Sequence, residues 1–138
     1  MPRYWIIVAA ESHAQRGRAG GFIQANHGKL APMKRIQPSD GVVIYSPVAT
    51  YGEKDKFQAF TVIGSVAPGD VYQGEMGGNY TAYRRDVVWK DAAPAPIRPL
   101  LDQLSFTQGE TNWGQKFRFG MFETDAADFK LIEQAMMP

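Results

Sequence analysis

Chemistry-bearing residues are densest in one short stretch, "GGFIQANHGK", at positions 20–29. Phe22 offers a flat apolar face, Gln24 and Asn26 carry amide donors and acceptors, and His27 and Lys29 add polar or cationic groups at the rim. Together these types suit a flat polar molecule, stacked on the ring and read along its edge by the amides. They also suit a plain connection in which Phe22 and Ile23 are core, Asn26 forms a turn and His27 is a satisfied loop histidine. Both readings stand at this level.

Other chemistries find less support. The chain has no cysteine, so thiol nucleophiles, disulfides and thiolate metal sites are excluded. His13 and His27 are the two histidines, too few for a protein-built zinc site without carboxylates in unusual roles. Serine nucleophiles would have to be Ser46 with His27 or Ser12 beside His13, and neither has nucleophile-elbow glycines. Glu11, Asp86 and Glu123 are the acids considered for proton transfer, each equally readable as a surface charge. Neither glycine cluster supplies the strand, loop and helix context of a phosphate-binding motif. No metal or cofactor is expected.

The 138 residues, 44% of them apolar, suit one domain with its own core. The opening apolar run, "YWIIVAA", is too short for a membrane span and is soon followed by Glu11, and no cleavage pattern follows it. A cytoplasmic protein without a membrane partner is expected. The net charge of +1 argues against clinging to nucleic acid by bulk electrostatics. Its distribution is uneven: Arg3, Arg16, Arg18, Lys29, Lys34 and Arg35 face Glu11 alone in the first 39 residues. That third is either a basic face or an ordinary solvated surface.

The elements that would position these groups follow from patterning. "RYWIIVAA" is apolar on both alternating sets, which suits a central strand covered on both faces. Ser12 is expected to cap a helical turn that the glycines at 17, 20 and 21 end. "VVIYS" at 42–46 and "FQAFTVIGSV" at 57–66 read as strands joined by a charged hairpin loop, with Phe60, Val62 and Val66 on one side. Residues 71–81 are glycine-rich and expected to be irregular, and 82–90 form a strand carrying two arginines. A short helix is expected in "IRPLLDQL". A strand is expected over 115–123 with Phe117, Phe119 and Met121 on one face, and then a helix capped by Asp125 in which Phe129, Ile132 and Met136 share a face.

Eight Phe, six Tyr and three Trp exceed what one small core needs, so some should line a surface or pocket. Trp113 either covers the barrel end or stacks on a ligand. Trp5 and Trp89 read as core or sheet surface, and Arg118 pairs either with an acid such as Glu123 or with a phosphate.

The order of blocks "YWIIVA", "GGFIQANHGKLAPMKRIQPSDGVVIYSP", "YRRDVVW", "IRPLLDQLSF", "NWGQKFRFGMFE" and "DFKLIEQAM" resembles the bacterial and archaeal EVE-domain proteins of the PUA-like superfamily, relatives of the YTH and ASCH domains. The resemblance runs over nearly the whole chain. It implies an α+β fold, a PUA-like open β-barrel of about five or six strands with flanking short helices. It also implies a non-catalytic nucleic-acid-binding module that reads a flipped, modified base in DNA or RNA. A nucleobase-like small molecule is the other ligand in view. Two alternatives remain: an ASCH-like hydrolase using Lys29 and Glu11 on a modified nucleoside, and a regulatory small-molecule or protein-binding domain.

By the same resemblance, Phe22 takes the place of the first cage tryptophan of YTH readers, while Val8, Ala9 and Ala10 leave only backbone groups where those readers have polar ones. The expected base pocket comprises Phe22, Ile23, Gln24, Asn26, Ser46, Tyr83 and Trp113. Phosphate or rim contacts are expected from Arg16, Arg18, His27, Lys29, Lys34, Arg35, Arg84, Arg85 and Arg118.

Overall fold

The computed structural model describes residues 2–25, 28–50, 52–77 and 80–138. In chain order it contains β1 (Tyr4–Val8), α1 (Glu11–Gly20), β2 (Phe22–Ile23), α2 (Leu30–Arg35), β3 (Gly41–Val48) and β4 (Lys56–Val66). These are followed by β5 (Tyr72–Gly77), β6 (Tyr80–Trp89), β7 (Ala95–Pro96), β8 (Met121–Thr124) and α3 (Ala126–Met136), with 3₁₀ turns at Arg98–Leu100 and Trp113–Phe119. The sheet runs β2-β6-β4-β3-β1-β8, with β5 added on β6 and β7 on β4. This is the α+β, PUA-like curled sheet expected, built from six longer strands and the two-residue β2 and β7.

β1 behaves as its sequence predicts. It pairs in parallel with β3 and antiparallel with β8, and Trp5, Ile6 and Ile7 have no exposed surface. Ile6 enters one core layer with Val43, Tyr45, Phe60 and Phe117; Trp5 and Ile7 enter the other with Met33, Ile36, Val42 and Ile44. A strand sealed on both faces needs apolar residues on both alternating sets, and this one has them.

Several elements depart from expectation, each for a local reason. In β4, Val62 opposes Ile44 but Phe60 opposes Tyr45, so Thr61 is an extra residue and the ladder bulges there. The bulge turns Phe60 toward Tyr45 while Val62 and Val66 face the Trp5 layer, so the three do not share a side. Residues 72–77 are ordered as β5 because Tyr72, Gln73 and Gly74 pair with Arg84, Tyr83 and Ala82 of β6. Only the last part of 115–123 is strand. The 3₁₀ turn before it stacks Phe117 on Tyr45, ring centroids 4.1 Å apart, and leaves Phe119 72% exposed.

α1 begins one residue before Ser12, with Ala10 at its N-cap and no side-chain cap; the Ser12 N–H donates instead to the Ala49 carbonyl at 2.9 Å. The helix passes through Gly17 and stops at Gly21, whose φ of 73° is the left-handed conformation that glycine adopts without strain. The helix expected in 97–104 contracts to a 3₁₀ turn whose Leu100, with Leu104 beyond it, anchors in the core. α3 matches its reading: Asp125 accepts from the Asp128 N–H at 2.8 Å, and Phe129, Ile132 and Met136 are buried.

One buried carboxylate ties the start of β1 to the entry of β3. Asp40, 2% exposed, accepts from Trp5 Nε1 at 2.9 Å and from the backbone N–H groups of Arg3 at 3.0 Å and Gln37 at 2.9 Å. Removing this acceptor leaves its donors, the buried Trp5 Nε1 among them, unpaired. Asp40→Ala is expected to lower the unfolding free energy by about 3 kcal/mol, read as a reduced urea midpoint at constant slope. A midpoint equal to that of the parent chain would show that Asp40 is not a clamp.

Candidate functional site

β6 carries the side chains that matter, and its pleat sorts them. One edge pairs with β2, placing Phe22 opposite Asp86 and Ile23 opposite Arg85; the other pairs with β5 and β4. Successive side chains of a strand point to opposite faces. Phe22, Arg84 and Asp86 therefore share the outer face, while Ile23, Tyr83, Arg85 and Val87 share the face toward α2.

On the outer face the half-buried Phe22 ring packs back over the end of α1. A Cβ at Gly20 would lie 2.3 Å from a ring carbon, so the absence of a side chain there lets the ring lie flat. The Arg84 guanidinium carbon stands 3.9 Å from the ring centroid, and Arg84 Nε donates to Gln24 Oε1 at 2.9 Å. Gly74 makes room for that arginine across the ladder: a Cβ there would come within 2.3 Å of Nη1. Beside this cluster the Tyr72 hydroxyl donates to Asp86 Oδ1 at 2.6 Å. Burial, helped by the Asp86 carboxylate, pushes the Tyr72 phenol up to about 12. Arg16 precedes Gly20 by one helical turn and so lies on the same side of α1, exposed. Lys29, exposed, stands at the N-cap of α2.

On the inner face a cleft of about 490 Å³ opens between α2, the connection from β4 to β5, and β6; Lys34, Asp70, Tyr83 and Arg85 are among its lining. Arg85 is 5% exposed and donates to the Gly69 carbonyl at 2.7 Å.

Residues read as one pocket thus fall in separate places. Phe22, Gln24 and Arg84 come together, and Tyr83, Arg85 and Lys34 come together on the opposite face. Ile23 is 1% exposed in the core, and Ser46 is fully buried, accepting a hydroxyl bond from Thr61 at 2.6 Å; neither opens to a ligand. Trp113 and Arg118 line a different cavity, of about 590 Å³, where Trp113 packs edge-on against Phe117 of the other core layer. Arg118 does not take Glu123, which pairs with Arg3 at 2.6 Å. Arg18 pairs with Asp91 at 3.5 Å, and Arg35 lies over the Trp5 ring at 5.0 Å. Asn26 and His27 lie outside the described residues.

Sequence reasoning missed Tyr72, Gly74 and the Arg85–Gly69 contact, and named Asp86 only as an acid for proton transfer or a surface charge. The alternation of a strand already places Arg84 and Arg85 on opposite faces, a signal open to reading. Tyr72 and Gly74 were hidden by the glycine content of their segment. Among the described residues no Lys29–Glu11 hydrogen bond or ion pair exists, no group of three His, Asp or Glu side chains is placed to hold a metal, and no helix is long and apolar enough to cross a membrane.

Comparison with known proteins matches residues 3–135 to the family model described as EVE domain. A UPF0310 protein of Mesorhizobium japonicum is 56% identical over 138 residues, covering 99% of this chain and 93% of its own. A UPF0310 protein of Bacillus subtilis is 37% identical over 133 residues, covering 96% and 91%. Among solved structures, a hypothetical protein from Leishmania major superposes with a TM-score of 0.59 at 11% identity, covering 97% of this chain and 94% of its own. A Rhodopseudomonas palustris protein gives 0.55 at 14%, covering 97% and 92%. At such identities these two structures speak to fold alone.

The raised Tyr72 phenol makes a testable statement about this face. Its folded-state value lies above the ordinary tyrosine value of about 10, so its contribution to stability is complete below that pH and is lost as pH rises toward about 12. Burial raises Tyr45 to about 12 as well. Ultraviolet titration should therefore show late phenols that include Tyr45 and Tyr72, and Tyr72→Phe should lose one of them. A variant that retains every late phenol would mean that Tyr72 is not raised.

Proposed function

The chain belongs to the EVE-domain family, and on that premise we propose that this PUA-like binding module reads nucleic acid, taking one flipped, modified base onto Phe22 without catalysis. The observation that carries this reading is the Phe22 ring, flat over Gly20, with its open face covered by a guanidinium rather than by backbone. A base can replace that cover. A cation over an aromatic ring at a half-exposed site is worth about 0.5–1 kcal/mol, whereas stacking a base returns roughly 1 to 3 kcal/mol. The exchange runs toward the base.

Displacement of Arg84 also breaks its bond to Gln24, and both groups gain a task. The Gln24 amide, which carries both donors and an acceptor, can then turn to the edge of the base. The displaced Arg84 guanidinium suits the phosphate beside the flipped nucleotide, with Arg16 and Lys29 as further backbone contacts. Extruding a base costs a few kcal/mol, least where pairing is already weak. Net of the displaced cation, the gain at Phe22 is about 0 to 2.5 kcal/mol and covers only part of that cost, so the edge contacts must supply the rest and a strong preference for single-stranded or weakly paired substrates is expected.

Oligonucleotides carrying modified cytosine or modified adenine, with unmodified controls, test this in a fluorescence titration. At least one modified strand should bind about tenfold tighter than its control. Phe22→Ala should erase that preference, and Arg16→Ala should weaken all strands alike and reduce the salt slope by about 1. Equal affinity for modified and unmodified strands, or hydrolysis of the modified nucleoside seen by mass spectrometry, would overturn the reading.

A further inference from the structure

We propose that the cleft between α2 and the β4–β5 connection is a second binding site, for a phosphate monoester bearing a flat ring, of the nucleoside monophosphate class. It lies on the inner face of β6 and does not depend on what Phe22 holds.

Arg85 points to it most directly. This guanidinium is 5% exposed, its hydrogen bond goes to the Gly69 carbonyl, and no carboxylate pairs with it among the described residues. A buried charge is costly unless an opposite charge or several hydrogen bonds compensate it. One carbonyl takes one donor of the five-donor fork, and since no buried nitrogen among the described residues lacks a partner, the remaining donors open onto the cleft that Arg85 lines. The partner that this geometry lacks is an anion, and the planar fork matches a phosphate in two-point contact.

The rest of the cleft defines what the anion carries. Lys34, exposed on α2, adds a second cation at the mouth. Tyr83 is half-buried and Val71 lies near it against the Trp5 layer, together giving a ring face and an apolar wall for a planar group. Gln37, whose Nε2 donates to the Lys34 carbonyl at 3.0 Å, turns its amide oxygen to the edge of that group as acceptor. Asp70 is the acid of the lining; it suits a sugar hydroxyl as donor and repels additional phosphates, which favours a monophosphate over a di- or triphosphate. The cleft volume of about 490 Å³ is within the usual range for small-molecule sites.

Calorimetric titration of the intact chain with the monophosphates of the four common nucleosides, the matching nucleosides, and inorganic phosphate decides the matter. One monophosphate at least should bind saturably, about tenfold tighter than either its nucleoside or phosphate alone. Lys34→Ala, a surface change that leaves the core intact, should weaken it several-fold. Arg85→Lys, which keeps the charge and removes the fork, should weaken it further, and Phe22→Ala should leave it unchanged. Absence of saturable binding by every monophosphate, equal binding of nucleoside or phosphate alone, or an affinity indifferent to Lys34→Ala would each overturn the assignment. Loss of binding in Phe22→Ala would also overturn it, because the ligand would then sit on the outer face.

Discussion

Two consecutive arginines in one strand cannot serve the same surface. The pleat of β6 sends Arg84 outward over Phe22 and Arg85 inward beneath the β4–β5 connection, and both proposed sites rest on that division. A one-residue slip would exchange the two faces completely. Register is held from both edges. Ile23 of β2 is buried opposite Arg85, and Val87, buried too, follows in the next inward place. On the other edge Gly64 lies so close to β6 that a Cβ would stand 2.4 Å from the Val88 carbonyl oxygen. That approach admits no side chain and fixes the pairing of β4 with the end of β6.

Behind β6 the sheet is covered on both faces, and two buried carboxylates secure connections that apolar packing alone would leave loose. Asp40 joins the first residues of β1 to the turn before β3. Asp128 accepts from the Ser105 N–H at 2.9 Å, from Thr124 Oγ1 at 2.7 Å and from the Ser105 hydroxyl, binding α3 to β8 and to the segment before the second 3₁₀ turn. Acids this deeply buried are stabilising only when several donors meet them, and each has at least three. The two faces of β6 are thereby mounted on a frame whose ends are fixed.

Much of this frame was legible in the sequence. β1 announces itself by apolar residues on both alternating sets, α3 by Asp125 and the spacing of Phe129, Ile132 and Met136, and the family by the order of its blocks. What escaped was set by contacts between distant residues. Nothing local marks Thr61 as a bulge, since the extra residue is defined by its partner strand. β5 exists because β6 pairs with it, and its glycine at 74 reads as a loop until Arg84 is seen to need the space. Phe117 leaves the strand pattern because its ring stacks on Tyr45, far away in sequence. The candidate residues do not gather in one place: Ser46 is spent on Thr61, Glu123 on Arg3, and Trp113 stands against the other core layer.

The exchange at Phe22 is open to direct observation. In the unliganded chain the guanidinium of Arg84 sits over an aromatic face, so its Nε–H proton should resonate upfield of the other arginines in a nitrogen-edited NMR spectrum. Addition of a modified single-stranded oligonucleotide should remove that ring-current shift and move the Gln24 side-chain amide in the same titration. An Arg84 signal that stays in place while the strand binds would contradict displacement and would place the base elsewhere.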